Sequence, residues 1–344
     1  MVLLRDVEAV LHDALEPPPC AIQTVAYDWA TSRVTALPEI WTLLAKYGVG
    51  EDPEMSDLYW AVQLTILCRA ARVGVKYWIR TLTDADLSGN WRYGPSLTSL
   101  PAAFMFGPGA LEFLRLDCNR LTTLPATLGN FSWLIDLNLS LNHLTSLPAE
   151  IGGLRSLRIL HLHRNQLTNL PTELGQLSLL TDLWVQDNHL TCVPVQLGQL
   201  EKLMDLRLEN NQLTSIPAEL GHLTALEELR LEKNKLVSIP AELGTLISLE
   251  VLNISNNQLL RVPSELGGLT SLERLNLSCN RLTSVPTTIA ELVSLQRLHL
   301  RENSLSNLPA EFAGLTALTL LDLTDNDFDD LSIPVELLSI AWLN

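Results

Sequence analysis

From Leu111 onward the sequence returns to the same residues every 23 positions. Leu111, Leu134, Leu157, Leu180, Leu203, Leu226, Leu249, Leu272, Leu295 and Leu318 each open a unit, and the units follow one another without a gap. The fifth, LMDLRLENNQLTSIPAELGHLTA, displays the skeleton LxxLxLxxNxLxxIPxxLGxLxx, and ten units keep its first half. A single unit is too small to bury its own leucines. Units of this length must stack and share one continuous core, with ends that need covering.

Each fixed position has a physical role. The alternating LxL reads as a short strand with its leucines pointing inward, and repetition at constant period lines such strands into one parallel sheet. The asparagines are Asn119, Asn142, Asn165, Asn188, Asn211, Asn234, Asn257, Asn280, Asn303 and Asn326. A carboxamide carries donors and an acceptor together, so this column is expected to form a buried ladder that satisfies backbone groups where each strand turns away. The proline that follows, from Pro125 to Pro309, cannot donate to a sheet and suits a turn on the outer side. The Leu-Gly after it, as in Leu220-Gly221, is expected to mark a short helical turn closed by glycine.

These residues resemble the leucine-rich repeat family. The match is to the 23-residue LPxxLGxL kind found in intracellular Ras-group-related scaffolds, in the repeat arrays of Roco GTPases and in many bacterial proteins. The resemblance covers about three-quarters of the chain. It implies an α/β fold, a right-handed solenoid with a parallel sheet on the concave face and short helical turns on the convex face. It also implies a role in binding proteins, with a signalling protein such as a small GTPase as a plausible class of partner. A leucine-rich repeat displays many different surfaces, so the resemblance does not choose among them.

The ends are less regular. Residues 87–110 keep LTSLP but have Pro95 where the asparagine is expected, and read as a degenerate first repeat. The last unit carries extra residues at FDDLSIP, and VELLSIAWLN reads as a capping helix within a C-terminal cap of about 331–344. The solenoid is thus expected to span 87–344. Residues 1–86 differ in composition. All five tyrosines lie at or before Tyr93, and Trp29, Trp41, Trp60 and Trp78 fall here. Three helices are expected: one ended by Pro17, Pro18 and Pro19, one beginning at Pro38, and one from Pro53 to Leu82. This helical module reads as a cap on the open end of the solenoid, with a small partner-binding domain as the alternative.

Charge narrows the function. A net charge of -16 disfavours nucleic acid, whose backbone is gripped by clustered Lys and Arg, and equally disfavours anionic membranes. The most apolar run, Leu58 to Cys68, is too short to insert across a bilayer. The five cysteines are scattered, without the clustered caps of extracellular relatives, and the N-terminus lacks the apolar core of a signal peptide. A cytoplasmic protein with free thiols is expected.

Registering the strands arranges the side chains between the leucines as columns on the concave face. Ten rungs about 4.8 Å apart give a surface of roughly 45 Å. Phe113 stands among the expected contact residues, and Ile159, His161, His163 and Trp184 form the first zone, flanked by Asp136 and Asp182, with Trp184 as the expected anchor because no core lies beneath an outward strand position. Arg207 and Arg230 stand among Asp205, Glu209, Glu228 and Glu232 in a set expected to neutralise itself. Arg274, Arg297, His299 and Arg301 form a basic cluster on which a partner's acidic patch or an anion would dock.

Other chemistry competes poorly with this surface. Zinc at His161 and His163 would need further ligands, Asp136 or Asp182 leaning in, and no metal or other cofactor is assigned. No GxxxxGK[ST] loop occurs, and Cys118 and Cys279 stand at strand ends with no facing His-acid pair, so no catalytic residue is assigned. Glycosylation sequons at Asn138, Asn253 and Asn276 arise because the strand template spells LNLS or LNIS, and that at Asn130 stands apart. The leading expectation is a non-enzymatic interaction module. The alternative is a bacterial effector or ubiquitin-ligase-like protein whose repeats select a substrate, with a second activity in residues 1–86 and Cys20 or Cys68 as its thiol.

Overall fold

The structure, a computed structural model, describes residues 84–86, 88, 97–100, 111–328, 335–337 and 341–342. The three expected N-terminal helices lie outside these residues. Among the described residues twelve strands form one parallel sheet in sequence order. They are β1 (Asp84–Asp86), β2 (Phe113–Arg115), β3 (Asp136–Asn138), β4 (Ile159–His161), β5 (Asp182–Trp184), β6 (Asp205–Arg207), β7 (Glu228–Arg230), β8 (Val251–Asn253), β9 (Arg274–Asn276), β10 (Arg297–His299), β11 (Leu320–Asp322) and β12 (Ala341–Trp342). From β2 to β11 each strand is displaced from the last by one repeat, so every position faces its counterpart, as Trp184 faces His161 on one side and Arg207 on the other.

The core lies between this sheet and a second layer of turns. In the fifth unit Leu203, Leu206, Leu208, Leu213, Leu220 and Leu223 are all fully buried, and Ile216 is nearly so. The middle residue of each strand from β2 to β11 is buried while its two neighbours are partly or fully exposed, which is the alternation that three extended residues must show.

The asparagine ladder binds the rungs together. Asn211 Nδ2 donates to Leu208 O of its own unit at 3.1 Å and to Val185 O of the unit before at 3.1 Å, while Oδ1 accepts from Leu190 N at 3.0 Å. Leu208 O accepts in turn from Asn234 Nδ2 at 3.0 Å. Each such leucine carbonyl therefore takes a hydrogen bond from two asparagines, one of its own rung and one of the next. The pattern repeats at Asn142, Asn165, Asn188, Asn257, Asn280, Asn303 and Asn326. The residue before each asparagine, Lys233 or Leu141 for example, holds a left-handed backbone with φ near 55°.

The turn layer departs from expectation in one respect. Each proline precedes a five-residue 3-10 turn, as Pro217 precedes Ala218–His222, and the turn is closed by Leu223 N donating to Leu220 O. The glycine lies inside the turn and does not close it. What requires glycine there is close approach, because a Cβ on Gly221 would stand 2.4 Å from Glu242 O of the next unit. We expect Gly221→Ala to cost about 1–3 kcal/mol of stability, measured by denaturant unfolding, because the neighbouring turn must shift to admit a methyl group.

Both ends of the sheet extend beyond the ten regular units, by β1 and β12. β1 pairs with β2 from Asp84 to Asp86, just ahead of residue 87, where the degenerate first repeat was expected to begin. Leu97 N then donates to Asn119 Oδ1 as Leu121 N donates to Asn142 Oδ1, so Leu97 is the counterpart of Leu121. The residues of the first unit that exceed the repeat length fall mostly between β1 and Leu97, which displaced the apparent register. At the other end, among the described residues, Val335–Leu337 is a 3-10 turn and Ala341–Trp342 a strand paired with β11. Ala341–Trp342 thus extends the sheet along the edge that β11 leaves open.

Candidate functional site

Outward side chains of β2 to β11 form one continuous open face. All the expected contact positions lie on it or at its border, from the exposed Phe113 on β2 to His299 on β10, with His163 and Arg301 just beyond β4 and β10. Register alone brings them there. What the side chains do to one another divides the face into regions.

The most ordered region centres on Trp184. The His161 ring, from β4, stacks on the indole with centroids 4.1 Å apart and planes 24° from parallel. The Arg207 guanidinium, from β6, lies 4.2 Å from the indole centroid. Trp184 Nε1 donates to Asp205 Oδ2 at 2.9 Å, and Arg207 donates from Nε to the same carboxylate at 3.0 Å. The indole is thus flanked by a cation and an imidazole and pinned by its N–H. Its edge, not its face, is presented outward. His163 sits nearby, 6.0 Å from His161 and 6.1 Å from Trp184 between ring centroids.

Burial dominates the protonation of these groups. It pushes His161 from 6.5 down to about 4, aided by the neighbouring His163 and Arg207 and opposed by Asp182. Burial also lowers His163, with Arg164 adding and Asp187 opposing. Both imidazoles are neutral at pH 7, which suits the stacking of His161 on the indole. Asp182 accepts from Thr181 Oγ1 at 2.6 Å. Among the described residues no three or more His, Cys, Asp or Glu side chains converge as a metal shell.

The next region is an interleaved set of charges. Arg207 reaches Asp205 at 2.9 Å and Glu228 at 3.9 Å, and Arg230 pairs with Glu228 and, at 4.0 Å, with Glu232. Beside them runs a column of buried polar side chains. His163 Nδ1, Gln186 Oε1, Glu209 Oε2 and Glu232 Oε2 are buried without a hydrogen-bond partner on four successive rungs. Burial raises Glu209 from 4.5 up to about 7, and Glu232 beside it raises it further, while a backbone amide, Arg230 and Arg207 hold it down. Glu232 is raised in the same way, chiefly by burial.

A pH dependence follows with a definite sign. The folded state holds the Glu209 proton more tightly than the unfolded chain, so ionisation costs stability as pH rises from 4.5 to about 7, and the cost is constant above that. Glu209→Gln should remove it, raising stability at pH 8 by about 1 kcal/mol after discounting for solvent screening, and leaving stability at pH 4 unchanged. Thermal melts of both proteins at the two pH values check this. An equal gain at both would assign the effect to packing.

The expected basic cluster separates into two parts. Arg301 is neutralised by Glu302 and Asp325, each at 3.0 Å, and His299 Nδ1 lies 3.8 Å from Asp322. Arg274 and Arg297 stand exposed at matched positions of β9 and β10. The strand asparagines that spell sequons serve the local backbone, since Oδ1 of Asn138, Asn253 and Asn276 accepts from the backbone N of Ser140, Ser255 and Ser278. Burial keeps the Cys118 and Cys279 thiols protonated, which argues against nucleophilic roles. Sequence reasoning placed Asp205 only among neutralising charges. Its position one rung along and two residues before that of Trp184 is the diagonal that lets it hold the indole.

Comparison with known proteins gives a consistent result. Residues 149–262 match the leucine-rich repeat region family, residues 109–167 and 270–328 the leucine rich repeat family, and residues 247–290 a family of two such copies. Among solved structures, the chain is similar to a leucine-rich-repeat protein of Leptospira interrogans, with 31% identity over 78% of this chain and 74% of that one, at TM-score 0.62. It is similar to the plant peptide hormone receptor RGFR1, solved in complex with RGF2, with 31% identity over 71% of this chain and 43% of the receptor, at TM-score 0.59. It is also similar to the functional domain of InlJ from Listeria monocytogenes, with 26% identity over 74% of this chain and 51% of that one, at TM-score 0.62. The chain thus spans about half, or less, of the latter two structures. No match was found among curated proteins. Among the described residues no helix is long and apolar enough to cross a membrane.

Proposed function

The chain belongs to the leucine-rich repeat family, and from that premise we propose that it is a non-enzymatic module that binds a protein partner on the open face of its sheet. That face is the concave one in solenoids of this kind. The observation that carries the proposal is the His161–Trp184–Arg207 stack with Asp205 behind it. A large aromatic held in one rotamer by three neighbours loses little entropy when a partner covers it, which is the physical basis of an anchor. The fixed leucines and asparagines leave only the outward columns free to carry information. RGFR1, similar in fold and solved with RGF2, supports a protein or peptide as the kind of partner. A signalling protein, of which small GTPases are an example, is the partner class suggested by the scaffold-like repeat pattern, and the cytoplasm is the compartment that fits it.

Affinity capture with the full chain tests the reading. Partners retained by wild type should be lost with Trp184→Ala combined with Arg230→Glu, and kept with Glu219→Lys combined with Glu242→Lys in the turn layer. The opposite pattern would move the binding surface to the other side of the molecule.

A further inference from the structure

The open face changes sign along its length. In the column formed by the first residue of each strand, β5, β6 and β7 carry Asp182, Asp205 and Glu228, β8 carries Val251, and β9 and β10 carry Arg274 and Arg297 before Leu320 on β11. Arg207, Arg230 and Arg301 all have carboxylates beside them. Arg274 and Arg297 form no ion pair among the described residues. Two like charges directly opposite one another on paired strands oppose folding, so the pair is not explained by stability. The acids of β7 are two rungs away from Arg274, about 10 Å, which is roughly a Debye length in moderate salt. Neither arginine is neutralised by a direct ion pair among the described residues. In the same column Val251 and Leu320 flank the pair, Asn276 turns its oxygen to Ser278 N, and the carboxylates of Glu250, Glu273 and Asp322 nearby form no ion pair with either arginine.

We propose that Arg274 and Arg297 are the docking point for an acidic stretch of the protein partner, so that aspartate or glutamate side chains lie across β9 and β10 while the same partner sets neutral or basic groups against β5 to β7. This deepens the reading of the open face as a protein-binding surface and rests on it. The occupant is fixed by charge complementarity along the face. A uniform polyanion, whether nucleic acid or an anionic membrane, would meet repulsion from Asp182, Asp205 and Glu228, and a chain of net charge -16 offers it no compensating attraction. A protein segment alone can change sign over this distance.

The test uses a displayed library of random short peptides selected on the full chain, with the double variant Arg274→Glu/Arg297→Glu as counterpart. Both arginines are exposed, and matching circular dichroism melts establish that the variant folds. Peptides selected on wild type should be enriched in Asp and Glu and should bind the double variant about tenfold more weakly in fluorescence anisotropy. A milder Arg274→Gln/Arg297→Gln variant should fall between. Selected peptides without acidic enrichment, or acidic peptides that bind the reversed variant equally well, would overturn the proposal. If such peptides are still weakened by Trp184→Ala, the open face remains the binding surface and only the polarity assignment fails. Peptides indifferent to every substitution on the sheet would overturn both.

Discussion

Asn211→Asp should lower the unfolding free energy by about 3–5 kcal/mol at neutral pH, the range for leaving an uncompensated charge in the interior. The change adds almost no volume. The carboxylate still accepts from Leu190 N, but the two donors that faced Val185 O and Leu208 O are gone, leaving oxygen against oxygen at about the 3.1 Å now spanned by hydrogen bonds. Asn211→Ala should cost less, about 3 kcal/mol, because those carbonyls keep their second asparagines, Asn188 and Asn234, and only Leu190 N is orphaned. Acid separates the variants. Protonation returns a donor to the aspartate, so the Asp variant should recover stability as pH falls, and the Ala variant should not. Urea unfolding at neutral and acid pH reads both. Because each repeat touches only its neighbours, the loss should also broaden the transition as the array divides at the fifth unit.

Trp184→Ala should weaken partner binding by about 2 kcal/mol, roughly thirtyfold, the loss expected of a central aromatic anchor. A second readout separates binding from collapse of the site. Removing the indole uncovers His161, whose low value of about 4 is due first to burial, so its titration followed by NMR should move back toward 6.5. Trp184→Phe keeps an aromatic surface for His161 and Arg207 but loses the bond to Asp205. It should retain most of the binding and leave His161 low. A full loss of binding in the Phe variant would assign the anchor to the N–H and its carboxylate.

The period of 23 residues determined the architecture because each skeleton residue meets only copies of itself. Strand alternation likewise placed Phe113, Trp184 and Arg297 on one face before any coordinates. The contacts that give the face its chemistry run diagonally, and columns of side chains do not show them. Asp205 reaches Trp184 on the neighbouring rung, and Asp325 reaches Arg301, which shrinks the basic cluster to Arg274 and Arg297. Gly221 was misread because glycine serves both for left-handed backbone and for close approach, and only the distance to Glu242 distinguishes them. The left-handed residues escaped notice for the converse reason. Leu141, Arg164, Lys233 and Glu302 hold that conformation without being glycine, each just before a ladder asparagine whose side chain bonds back to the carbonyls two and three residues earlier. At the C-terminal end, residues 335–342 carry helix-like composition, yet the open edge of β11 draws Ala341–Trp342 into the sheet.

The most direct test of the open face as the binding surface is site-specific photocrosslinking. A benzoylphenylalanine placed at Arg230 reports on the open face, and one at Glu242 reports on the turn layer on the other side of the core. Exposed to the partner and irradiated, the chain should form adducts from position 230 and none from position 242. Adducts from 242 with none from 230 would contradict the claim that the sheet is the surface this protein uses.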